Sequence, residues 1–257
     1  MEMREIKIGV EIEFFGVCHL DVVAELNRQG ITCSFEGYTH QVMRTWKLVT
    51  DASVNNEGTG LSRGLELVSP ILYGDEGLDE LEQVLAVLNS LGAKVDRTCG
   101  IHLHHDVADY TAANFISLHN LYYSYQEGIN SILPKSRRTS SRNTYCKGLN
   151  FSDLSICQNA PSIKAIANEI YSRYFVLNSQ SYIKYGTIEF RQHSGSIDFQ
   201  KIEAWVVLTH TMVNYAKYNQ VELSDDTGSL ERLLTMLNMD DSHVGEFYKA
   251  RKAALAC

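Results

Sequence analysis

The chain has 257 residues, 44% of them hydrophobic and 21% charged, which allows a sizeable core and fits a soluble globular protein. Its net charge of −8 excludes a general binder of nucleic-acid backbone. The one basic cluster, Lys135, Arg137, Arg138, Arg142 and Lys147, is local. The 6 cysteines have irregular spacing and form no CxxC, the first residues carry no apolar targeting segment, and no apolar run nears the length of a membrane span. A cytoplasmic protein with reduced thiols, acting off the membrane, is expected.

In chain order, residues 5–17 alternate as a strand, with Ile6, Ile8, Val10, Ile12 and Phe14 on one face. Helical spacing follows over 20–30, ending at Gly30, then short strands near 31–36 and 45–50. Asn55 to Arg63 reads as a loop, and Gly64 to Pro70 as a strand that Pro70 ends. Residues 75–92 form an amphipathic helix stopped by Gly92. Residues 99–107 form a strand, and 111–131 a helix with Thr111 as N-cap. The basic stretch 135–147 reads as an ordered loop and 160–170 as a short helix. Strands at 172–178 and 184–191, a helix over 198–218 and a helical tail over 229–257 complete the chain. With only 3 prolines and no low-complexity linker, one main domain over 1–220 is expected, carrying a helical extension over 221–257. Antiparallel strands broken by scattered helices predict the α+β class.

Three stretches share a pattern: Glu11-Ile12-Glu13, His102-Leu103-His104 and Glu189-Phe190-Arg191. On a strand, residues i and i+2 point to the same face, so each triplet presents two polar groups together while its spacer enters a core. Carboxylates two apart lie roughly 7 Å from each other at Cα and repel on a buried face. Cations between them relieve that cost, and oxygen ligands suit Mg²⁺ or Mn²⁺. A solvated strand face is the bland alternative for Glu11 and Glu13, and for Glu66 and Glu189 taken singly. His102 or His104 could ligate a metal while the other binds phosphate or a base, or both could be structural histidines. His105 faces the other way and is expected to be structural. Arg191 beside Glu189 suits a transferring phosphoryl group, or is a local ion pair. The basic segment could close over phosphates or an anionic substrate, or be a solvated loop. Asp51, Ser53 and Lys47 lie near a strand end, with no diagnostic spacing. No GxxxxGK phosphate loop, GxGxxG or HExxH occurs.

Taken in order, Gly9 to Phe14, Gly64 to Pro70, Cys99 to His104 and Thr187 to His193 resemble the amidoligases. These are carboxylate–amine ligases similar to glutamine synthetase and glutamate–cysteine ligase. The resemblance implies a glutamine synthetase-like catalytic domain, a curved antiparallel sheet with flanking helices, using ATP and two or three Mg²⁺ or Mn²⁺ ions. By position it places Glu13 and Glu66 on the metal beside the substrate carboxylate. Glu11, His102 and Glu189 fall on the metal at the ATP phosphates. His104 falls near the nucleotide and Arg191 at the γ-phosphate, with Glu189 and Glu13 sharing in catalysis. Arg137, Arg138 and Arg142 fall in a basic segment that holds phosphate or the acid. Asp51 is a loose candidate for an additional metal carboxylate. The function implied is an ATP-dependent ligase that joins a small-molecule or peptide carboxylate to an amine through an acyl phosphate. The alternatives are a metal-dependent hydrolase using His102 and His104, or a non-catalytic nucleotide-binding module.

Overall fold

The computed structural model describes residues 6–39, 41–139 and 144–256. The fold is of the α+β class, an open, mostly antiparallel sheet with flanking helices. Contacts divide the chain into two compact units. One comprises residues up to Leu103 with Ser194–Glu203; the other comprises His104–His193 with the chain from Ala204 onward.

In the first unit, β1 (Lys7–Phe14) is the alternating strand expected. Ile8, Val10 and Ile12 are buried on one face while Glu11 looks to the other. It pairs antiparallel with β4 (Gly64–Val68) and with β5 (Leu72–Tyr73). The strand order is β2 (Cys33–Gly37), β3 (Trp46–Asp51), β4, β1 and then β6 (Gly100–Asp106). β3 pairs antiparallel with β4, whereas β2 and β3 run parallel, an exception to the antiparallel expectation. Helices α1 (His19–Arg28) and α2 (Gly74–Ser90) pack together; Leu26, Leu81, Leu85 and Leu88 on them are fully or nearly fully buried. Each helix ends two residues before a glycine with positive φ, Gly30 and Gly92, as the sequence suggested.

In the second unit, α3 (Ala112–Asn130) begins in a capping box. The Thr111 hydroxyl accepts from the Asn114 N–H, and the Asn114 carboxamide oxygen accepts from the Thr111 N–H. α3 packs against α4 (Phe151–Cys157) and α5 (Ile163–Glu169). Short β7 (Leu177–Asn178), α6 (Gln180–Tyr185) and β8 (Thr187–Ser194) follow. The strand expected over 172–178 is therefore only two residues long, and a helix occupies the first part of the 184–191 stretch. α7 (Phe199–Tyr218), α8 (Leu230–Met236) and α9 (His243–Ala256) finish the chain, with α8 against α3. The basic stretch contains a 3-10 turn, Lys135–Arg137. No helix among the described residues is long and apolar enough to cross a membrane.

Candidate functional site

Register places the acidic groups of the first unit. Glu13 of β1 lies directly opposite Glu66 of β4, and Asp51 of β3 lies opposite Gly64, two residues along β4 from Glu66. All three side chains therefore share one face. Gly64 makes room for this. A Cβ there would meet Val54 and the Asn55 carbonyl at 2.4–2.6 Å, so only glycine lets the turn after Asp51 fold back against the sheet.

His102 on β6 sits among three carboxylates. Its Nδ1 donates to Glu11 Oε2 at 2.9 Å and lies 4.0 Å from Glu66 Oε1, while Nε2 is 3.8 Å from Glu13 Oε1. The Gly100 N–H donates to Glu13 Oε2 at 2.5 Å, a charge-assisted bond that fixes this carboxylate. Glu13 and His102 are buried, while Glu11 and Glu66 keep some access. Two triads of donor atoms, Glu11–Glu66–His102 and Glu13–Asp51–Glu66, each lie within 4.8 Å of one another, and Glu66 belongs to both. Like charges at directly opposed strand positions repel. A cation in each triad would turn that cost into ligation. Four carboxylates to one imidazole is an oxygen-rich donor set, which fits Mg²⁺ or Mn²⁺ better than zinc. The nearby Cys99 thiol is pushed up to about 11 by burial, so it stays protonated.

In the second unit Glu189 and Arg191 share a face of β8. Glu189 Oε2 accepts from Asn178 Nδ2 at 2.5 Å and from Ser181 Oγ at 3.0 Å, and Oε1 accepts from Arg191. The Arg191 Nε also reaches the Tyr145 carbonyl at 3.5 Å. His104 Nδ1 is 3.1 Å from the Thr187 hydroxyl, and its ring meets the Tyr185 ring edge-on. His105, expected to be structural, is buried with Nε2 on the Thr209 hydroxyl at 2.8 Å. Burial, reinforced by His210, holds its pKa well below the usual histidine range.

The basic segment, where it is described, is partly tied into the fold. Arg137 is buried and its carbonyl accepts from Gln192 Nε2, while Arg138 Nε donates to the Leu133 carbonyl at 3.0 Å. Arg142 lies outside the described residues. Of the sequence candidates, the first unit thus brings together Glu11, Glu13, Glu66 and His102, with Asp51 joining them through register. The second unit brings together Glu189 and Arg191. Asn178 and Ser181 were not anticipated; polar residues beside the two-residue strand opposite Glu189 were the available signal.

A family model described as "Putative amidoligase enzyme" matches residues 4–213. Comparison with curated proteins gives no match. Among solved structures the chain is similar to a "novel glutamine synthase homolog". Identity is 13% with a TM-score of 0.42, over 98% of this chain and 67% of that one.

Proposed function

The chain belongs to the amidoligase family, and from that premise we propose that it is an ATP-dependent carboxylate–amine ligase. The observation that carries the reading is the carboxylate–imidazole cluster of the first unit, two oxygen-rich triads meeting at Glu66. In the proposed reaction, an oxygen of the acid substrate attacks the γ-phosphorus of ATP. The bond to the β–γ bridging oxygen breaks, leaving ADP and an acyl phosphate. The amine nitrogen then adds to the acyl carbon, the bond to the phosphate oxygen breaks, and the nitrogen gives up a proton as inorganic phosphate leaves.

Glu13, Asp51 and Glu66 would hold one divalent cation and Glu11, Glu66 and His102 another. Such cations supply positive charge to carboxylate and phosphate oxygens. The chain's own part is positioning. The Gly100 N–H and the imidazole of His102 hold Glu13 and Glu11 in place, so the cluster is set before ligands arrive. Arg191, held against Glu189, supplies a fixed guanidinium for the transferred phosphoryl group. His104, fixed by Thr187, would meet the nucleotide, and Arg137 and Arg138 the phosphate or the acid. The oxygen-rich donor set favours this reading over a zinc hydrolase.

The test is ADP release from ATP and Mg²⁺ with mixtures of amino acids, peptides and polyamines as acid and amine. The expected result is release that needs both partners and falls at least about a hundredfold in Glu66→Ala. No ADP from any mixture, or equal turnover by Glu66→Ala, overturns the proposal.

A further inference from the structure

Glu189 is a buried carboxylate whose two oxygens have separate duties. Oε2 takes both neutral donors, Asn178 Nδ2 and Ser181 Oγ, and Oε1 takes Arg191. We propose that Asn178 and Ser181 are positioning residues that lock the Glu189 carboxylate and, through it, the Arg191 guanidinium. The inference rests on the proposed role of Arg191 at the γ-phosphate.

The donors are themselves oriented. Asn178 lies directly opposite Glu189 in the β7–β8 pair, so the two side chains share a face. Its carboxamide oxygen accepts from the Gln180 N–H at 2.9 Å, which turns the NH₂ end toward Glu189. That NH₂ group also reaches the Ser181 hydroxyl at 3.2 Å, and the hydroxyl donates a hydrogen bond to Glu189 Oε2. Asn178, Ser181 and Glu189 are each at least nine-tenths buried, so water does not replace a lost member.

The terminal torsion of a glutamate is intrinsically broad. Without the two bonds to Oε2 the carboxylate can swing, and the guanidinium paired to Oε1 swings with it. A planar guanidinium recognises a phosphoryl group through direction as much as charge, so that freedom blunts its discrimination. Loss of either donor should therefore weaken recognition of the third phosphate and leave the rest of the nucleotide site intact.

The experiment is calorimetric titration of the full chain with Mg²⁺ and either ADP or the non-hydrolysable analogue AMP-PNP. Wild type is expected to prefer AMP-PNP. Asn178→Ala and Ser181→Ala should each cut that preference by about tenfold while ADP affinity stays within about twofold. Ser181→Thr, which keeps the hydroxyl, should restore it. If Asn178→Ala does not fold, the Ser181→Ala and Ser181→Thr pair carries the test. An unchanged preference in folded Ser181→Ala, or an equal loss for both nucleotides, overturns the positioning role. Nucleotide binding by wild type with no preference for AMP-PNP instead overturns the γ-phosphate role of Arg191, a failure visible before any variant is made.

Discussion

Glu66 faces Glu13 across two strands and contributes an oxygen to both donor triads, so its charge is a cost without cations and a double ligand with them. Glu66→Gln should lower Mn²⁺ affinity by at least about tenfold in titration calorimetry. The same change should leave stability in chelator-treated protein unchanged or raised by up to about 1 kcal/mol, read from urea midpoints. Glu13 behaves differently because its Oε2 accepts from the buried Gly100 N–H. Glu13→Ala should destabilise the cation-free protein by about 1–3 kcal/mol, the cost of stranding a buried donor, whereas Glu13→Gln should recover much of it. At this scale Glu11, Glu13, Glu66 and His102 were legible because alternation within a strand reveals which side chains share a face. Asp51 was only a loose candidate, because the β3–β4 register is what carries it to Glu66. Asn178 and Ser181 were not legible, since their role depends on a strand of two residues.

Among elements, the long periodic segments β1, α2 and α3 stand where their patterns put them. α4, α6 and β5 were missed because 7, 6 and 2 residues hold too few periods to separate from loop. α3 gives a test in which local preference and packing oppose each other. Alanine in place of Gly128 gains about 1 kcal/mol of helix propensity. Its Cβ, however, would lie 2.7 Å from the Leu230 nitrogen and 2.8 Å from the Ser229 carbonyl carbon, backbone atoms that cannot turn aside. Overpacking costs about 1–3 kcal/mol, so Gly128→Ala should be net destabilising by urea unfolding and should loosen α8 in hydrogen exchange. Thr111→Ala removes the hydroxyl half of the capping box and should cost about 1 kcal/mol, with faster exchange confined to the first turn of α3.

For the whole molecule, buried histidines set the acid limb of stability. His119 Nδ1 donates to the Phe115 carbonyl and Nε2 accepts from the Ser179 hydroxyl, so the ring is held neutral, and burial pushes its pKa down to about 4. The unfolded chain takes up this proton near pH 6.5 and the folded chain only near 4. Stability is therefore complete above pH 6.5 and is lost as pH falls toward 4, by roughly 3 kcal/mol from this group. His105 acts in the same direction. Urea midpoints between pH 7 and 4.5 should show that slope, and His119→Gln should flatten it. At the sheet's end, β2 has a strand neighbour on one side only among the described residues. It is five residues long, and its pairing with β3 slips between Phe35 and Gly37, where Gly37 has φ +64°. A short, kinked margin offers a poor template for a strand from another molecule, so half-exposed Phe35 sits where fibril growth has little straight edge to copy. The irregularity at Gly37 thus acts as a guard on colloidal behaviour, and a straighter β2 would leave the chain more prone to self-assembly at high concentration.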